Sequence, residues 1–355
     1  MKEKLFDQIK KINLGTFNRR SFWIALIGGF MMALFQNMGA HFNFFSPLPD
    51  RATQVQADVM NTVAPLLHKK KNTIKLEKKS SYAPIDVSSR AYIVVDMENA
   101  TVLDAKNADI SYPIASLTKV MSAVVALDLA SPTEEFTVTQ RAADIIPTKI
   151  GVVPGQKMKV EELLHAMLLT SANDATEVVR DGIDQKYGKG TFVKAMNEKA
   201  EFLGLTKSHF ENPQGFDAPA HYASAEDLAV LSLYAMKNYS LINEIAKKDY
   251  AFLPQNRYHK QFDLYNWNGL IGVYPHVFGL KIGVTENAGN TTIVAAERDG
   301  KKLLTVLLGA DTIINRDLDA ASLLDAGFAQ DANLSPIAID ESMLRAKYAQ
   351  WEYWN

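Results

Sequence analysis

The period of the apolar positions changes several times along the chain, and each change marks an element. Phe22 to Ala40 runs without a charge, through Phe22-Trp23-Ile24-Ala25-Leu26-Ile27 and Met31-Met32-Ala33-Leu34-Phe35. A run of ~20 such residues crosses a bilayer as a helix. Ala91-Tyr92-Ile93-Val94-Val95-Asp96 is a short continuous apolar run, which predicts a buried strand. Glu98-Asn99-Ala100 predicts a turn, and Thr101 to Ala105 the return strand. The pattern then lengthens to a helical one over Ile114–Ala130, Lys157–Thr170, Ala175–Ile183, Thr191–Leu203 and Ser224–Met236. Leu163, Leu164, Met167 and Leu168 form one stripe, Gly204 is a C-cap candidate, and Glu226 and Asp227 suit a first turn. Residues 238–276 are aromatic and read as irregular. Strand character returns in Val277–Gly283, Thr291–Ala296 and Leu303–Leu308, the last two joined by a tight hairpin at Glu297-Arg298-Asp299-Gly300. Asn315–Phe328 predicts a final amphipathic helix.

Strands at both ends with helices between predict an α/β (α+β) fold: one antiparallel sheet flanked by helices, with a helical insertion from the middle. The segments are a basic tail over 1–20, a transmembrane anchor over 21–42, a linker over 43–84, a globular domain over 85–330 and a tail over 331–355. Lys2, Lys4, Lys10, Lys11, Arg19 and Arg20 precede the apolar run and predict a cytoplasmic N-terminus with an exported remainder. A cleavable signal sequence is the alternative, although Met38-Gly39-Ala40 matches a cleavage site poorly. In the linker, Ser46-Pro47-Leu48-Pro49-Asp50 breaks any helix and Val55–Leu67 is a short helix candidate. The basic run from His68-Lys69-Lys70-Lys71 to Lys78-Lys79 reads as a solvated face.

Composition narrows the chemistry. A net charge of −2 over 355 residues gives no support for a nucleic-acid partner. The absence of cysteine excludes disulfides, thiol nucleophiles and cysteine-based zinc sites, and the seven histidines lack an H-x-x-x-H spacing. The candidate chemistry lies elsewhere. Ser116 and Lys119 stand three apart at the start of a helical run, so they share a face, and a lysine of depressed pKa can activate a serine hydroxyl. A helix cap and a surface lysine are the plainer reading. Ser171 and Asn173 lie in a turn between two helices, where both side chains can project to one side, or where either can cap a helix. Lys281 belongs to an inner strand of the predicted sheet, and its neighbours Gly279 and Gly283 suggest close approach of something to the backbone.

Three motifs occur in a fixed order: Ser116-Leu117-Thr118-Lys119, Ser171-Ala172-Asn173 and Lys281-Ile282-Gly283. With Pro113-Ile114-Ala115, Asn212-Pro213-Gln214-Gly215-Phe216-Asp217, His221-Tyr222-Ala223-Ser224 and Asp311-Thr312 before Asn315-Arg316, the chain resembles the D-alanyl-D-alanine carboxypeptidase (low-molecular-weight penicillin-binding protein) family over about 85 to 330. The resemblance implies a β-lactamase/transpeptidase-like fold and a serine acyl-transfer enzyme at the bacterial cell membrane. Such an enzyme would act on the extracytoplasmic side, on peptidoglycan stem peptides ending in D-Ala-D-Ala, with β-lactams as acylating inhibitors and no metal or cofactor. It implies Ser116 as nucleophile, Lys119 as general base, Ser171 as proton relay and Asn173 on the substrate backbone. Lys281 and Gly283 would serve the substrate, and the oxyanion would meet backbone N–H groups of Ser116 and of the residue after Gly283. Ile282 departs from the family, which has a hydroxyl there, and Thr285 is near enough in sequence to compensate. A D,D-endopeptidase, a β-lactamase using Glu211 and a catalytically weak wall-binding scaffold are the alternatives. The family's C-terminal β-domain finds no room in 331–355, where Trp351-Glu352-Tyr353-Trp354-Asn355 is expected to pack on the domain or meet the membrane interface.

Overall fold

The computed structural model describes residues 51–78 and 84–351; the basic tail and the expected membrane anchor lie outside them. The first elements are α1 (Arg51–Leu67), β1 (Ala91–Asp96), β2 (Val102–Lys106), a 3-10 turn (Ala115–Leu117) and α2 (Thr118–Leu129). Next come β3 (Glu135–Thr137), α3 (Gln140–Asp144), β4 (Lys157–Lys159), α4 (Val160–Leu168), α5 (Asn173–Tyr187), α6 (Thr191–Leu203), α7 (Ala225–Asn238) and α8 (Ser240–Ala246). The chain closes with β5 (Tyr250–Leu253), β6 (Phe262–Tyr265), β7 (Val277–Thr285), β8 (Gly289–Arg298), β9 (Lys301–Ala310), α9 (Ile313–Ala332) and α10 (Glu341–Tyr348).

β2-β1-β9-β8-β7 form one antiparallel sheet of five strands, as the sequence predicts. Its strands read as continuous apolar runs because helices cover both faces. Ile93, Val95, Ile293, Leu304, Val306 and Leu308 face the core built with the inserted helices. Tyr92, Val94, Val294, Leu303 and Leu307 face α9 and α10 through Leu323, Leu324, Phe328 and Leu344.

Four expectations are corrected. Lys281 is on the edge strand β7, not an inner one, because β2 occupies the opposite edge and β8 alone pairs with β7. Of the linker expected over 43–84, residues 55–77 are part of the folded body. Val63 and Leu67 are fully buried, Lys199 of α6 donates to the Leu67 carbonyl, and Glu77 bridges to Thr101. The sequence of the helix does not show what it packs on, because the buried ion pair Lys199–Asp128 (2.7 Å) beneath it comes from distant helices. The expected tail over 331–355 contains α10, seated by Leu344, and Trp351 packs edge-on against Tyr348 with ring centres 5.0 Å apart. Residues 238–276 carry α8 and the β5–β6 hairpin, elements too short to show a period.

Candidate active site

The turn carrying Ser116 is held from three sides. Ala115 has φ +48°, a left-handed conformation that an alanine adopts only when its surroundings impose it. The Thr118 hydroxyl donates to the Ala115 carbonyl (2.8 Å) and lies 2.7 Å from His221 Nε2. His221 Nδ1 accepts the Glu211 amide (3.1 Å), so Nε2 carries the proton and donates to Thr118. Burial pushes His221 down to about 4, which keeps this ring neutral. Gly215, at φ +92°, backs onto the Ala115 carbonyl so closely that a Cβ there would overlap it. Ser116 sits in the 3-10 turn one step ahead of α2 and makes no side-chain cap. The cap reading therefore gives way to a hydroxyl aimed at solvent and at Lys119.

Lys119 is fully buried, which ends the surface-lysine reading. Its Nζ reaches Ser116 Oγ (2.9 Å), Asn173 Oδ1 (2.8 Å) and the Gln214 carbonyl (2.7 Å). Burial, and then the Lys281 charge, hold its pKa well below that of an ordinary lysine, against an opposing pull from Asp174. The Gln214 amide donates to the buried Glu177 carboxylate, which also pairs with Arg141 (3.2 Å) and Arg180 (3.0 Å). Asp174 accepts the backbone amides of Ile150, Gly151 and Val152 and so braces the loop before β4.

Ser171 has φ +59°, and Ala172, not Ser171 or Asn173, is the N-cap of α5, without a side-chain cap bond. Both polar side chains are thereby released from capping. Asn173 bonds Lys119 through Oδ1 and the Ile146 carbonyl through Nδ2 (3.2 Å).

β7 brings the third motif alongside. Gly283 passes so near the Ser116 turn that a Cβ would lie 2.8 Å from the Ser116 amide nitrogen and 3.0 Å from Ala115 Cβ. Gly279 is likewise crowded by Asn268, so both glycines answer to close approach, as their sequence context suggests. Lys281 is buried and donates to the Ile282 carbonyl (3.0 Å); burial and the Arg316 charge push it down to about 7. The Thr285 hydroxyl donates to Asp217 (2.7 Å) and accepts the Ala288 amide, so its proton is committed to a loop contact.

Ser116, Ser171, Asn173, Gly283 and Thr285 line one cleft of about 370 Å³, with Ile282 on its wall. Lys119 lies beneath it. No glutamate lines the cleft among the described residues; Glu211 instead accepts the Ala220 amide (2.9 Å). Arg316 is a cleft residue that sequence reasoning missed as part of the site. One cue was available: an arginine in the first turns of a helix opposes the dipole, so its placement needs another reason.

Solved structures share this arrangement of sheet and helices. The Streptomyces K15 DD-transpeptidase is 26% identical, with a TM-score of 0.64 over 70% of this chain and 99% of its own. Penicillin-binding protein D2 of Listeria monocytogenes, in its ampicillin-bound form, is 30% identical, with a TM-score of 0.59 over 69% and 98%. The fold is thus that of the penicillin-binding and transpeptidase class, with a serine–lysine pair in its cleft. The family model for D-alanyl-D-alanine carboxypeptidase matches residues 77–312, and the chain belongs to that family. The D-alanyl-D-alanine carboxypeptidase DacF of Bacillus subtilis is 30% identical over 68% of this chain and 62% of its own length. DacB2 of Mycobacterium tuberculosis is 31% identical over 70% and 86%.

Proposed function

We propose that the protein is a serine-type D-alanyl-D-alanine carboxypeptidase that trims peptidoglycan stem peptides through an acyl-enzyme on Ser116. The observation that carries this is the contact of a buried, low-pKa Lys119 with Ser116 Oγ at 2.9 Å. Lys119 Nζ takes the proton as Ser116 Oγ bonds the carbonyl carbon of the penultimate D-Ala. The amides of Ser116 and Val284 hold the oxyanion. Collapse breaks the C–N bond, Ser171 relays a proton to the departing D-Ala amine, and water then hydrolyses the ester. Asn173 orients the substrate backbone, and Lys281 with Arg316 attracts its terminal carboxylate. Ile282 withholds one hydroxyl bond from that carboxylate, a loss of ~1.5–3 kcal/mol in binding where the acceptor is charged. The same apolar wall favours a D,D-endopeptidase as the second reading. Among the described residues no glutamate lines the cleft, which disfavours a class A β-lactamase, whose deacylating water needs one.

Among the described residues no helix is long and apolar enough to cross a membrane. The uncharged run 22–40 behind its basic flank supports a single-pass anchor with the catalytic domain outside the cytoplasm. β-Lactams enter this reading as acylating inhibitors.

Intact-mass spectrometry after incubation with benzylpenicillin is the test, beside a release assay for D-alanine from diacetyl-L-Lys-D-Ala-D-Ala. One drug mass should add to the wild type and none to Ser116→Ala, with D-alanine released only by the former. An adduct surviving in Ser116→Ala would sink the assignment.

The pH dependence carries a sign. Lys281 is cationic below about 7 and loses its charge above it. For a free-carboxylate peptide, kcat/KM, which reports the free enzyme, should therefore fall as pH rises through 7. A bound carboxylate restores the Lys281 proton, so kcat should stay flatter. A kcat/KM profile level from pH 6 to 9 would contradict this.

A further inference from the structure

Arg316, Asp317 and Tyr348 form a closed ring of hydrogen bonds at the wall of the cleft. Arg316 Nε donates to Asp317 Oδ1 (2.7 Å) and Arg316 Nη2 to the Tyr348 hydroxyl (2.8 Å), which in turn donates to Asp317 Oδ2. The ring takes the Nε and Nη2 arms and leaves Nη1 outside it, and Arg316 lines the cleft. Arg316 and Asp317 are almost wholly buried, so the pair has one packed arrangement and little freedom to swing.

Tyr348 is the last residue of α10, well beyond residue 312 where the family match ends. Two contacts pin α10 in place: Leu344 is fully buried under α9, and Lys347 pairs with Asp249 (3.1 Å); at the helix's own end, Trp351 packs edge-on against the Tyr348 ring. Gly269, from the aromatic stretch before β7, leaves the room, since a Cβ there would lie 2.5 Å from the Tyr348 hydroxyl and overlap Asp317.

We infer that Tyr348 is a positioning residue that locks the Arg316 guanidinium toward the cleft, so that this C-terminal helix sets recognition of the substrate's terminal carboxylate. With Ile282 in the third motif, a neutral hydroxyl donor is missing on one side of that subsite. A fixed guanidinium supplies a donor from the other. A free arginine would lose rotamer entropy on meeting the carboxylate; one already held by Tyr348 and Asp317 has lost it on folding. The inference rests on the carboxypeptidase reading for the direction in which the substrate lies, but its test needs no turnover.

The test is ligand-observed NMR titration of Ser116→Ala with diacetyl-L-Lys-D-Ala-D-Ala and with its C-terminal amide, before and after adding Tyr348→Phe. Phenylalanine keeps the ring against Trp351, and a thermal melt checks the fold. Met343→Ala, at an exposed position of α10, is the control for the helix itself. Tyr348→Phe should weaken the acid about tenfold and leave the amide unchanged, the size expected for one bond supporting a charged group. Met343→Ala should change neither. Equal weakening of acid and amide in a folded variant, or no weakening of either, would overturn the inference. Wild type that neither releases D-alanine nor takes up penicillin would instead remove the carboxypeptidase reading, while the acid-to-amide ratio still reports on Tyr348.

Discussion

Lys119→Met should lower the rate of acylation by benzylpenicillin about 10³-fold, within the 10²–10⁴ that a positioned general base contributes. Methionine matches the length of the lysine stem and keeps the buried volume, so the fold should survive. What disappears is the only amine that contacts Ser116 Oγ among the described residues. Lys119→Arg separates base from charge. A guanidinium stays protonated at every accessible pH, so it preserves the cation and cannot take the serine's proton. Both variants should be equally slow by intact-mass kinetics. An arginine variant within tenfold of wild type would mean that Lys119 acts through its charge alone.

Gly215→Ala should be the second large effect, and it acts through the backbone of the Ser116 turn. The new Cβ would overlap the Ala115 carbonyl and lie 2.9 Å from the Ser116 amide nitrogen, and those atoms are backbone, which cannot rotate away. Gly215 also has φ +92°, where a side chain is strained whatever the space. The Ser116 turn must shift, and a displacement near 1 Å in a reacting group costs about 10²-fold. Backbone strain of this kind destabilises by roughly 1–3 kcal/mol. Gly204→Ala is the matched control: φ is +73° at the C-cap of α6, but nothing lies within 4 Å of its Cβ. An L-residue in that left-handed conformation should cost about 1 kcal/mol and leave acylation unchanged. Calorimetry and penicillin acylation, run on both variants, check the pair. Equal activity in the two would show that the Gly215 contact does not set the nucleophile.

Much of the site was legible because its parts are local. A serine and a lysine three apart on a helix-forming run must share a face, whatever surrounds them. The β7–β8–β9 strands announced themselves as buried runs, since a sheet covered on both faces leaves no polar alternation. Gly279 and Gly283 flagged close approach because little else explains two glycines in one strand. Arg316 was harder. Its neighbours in sequence resemble the family's last helix, but its entry into the cleft depends on where α9 packs across the sheet.

The amino-acid sequence by itself determined the antiparallel sheet with its helical insertion, the order of the three motifs and the pairing of Ser116 with Lys119. Those follow from short-range spacing and from burial period, which act within a few residues. The tertiary structure alone decided that Lys281 lies on the sheet edge, that α1 joins the folded body and that α10 brings Tyr348 to Arg316. It also decided how deeply Lys119 is buried, and with that its pKa. Strand order, desolvation and hydrogen bonds between residues far apart in the chain are properties of the packed whole, and no local period encodes them.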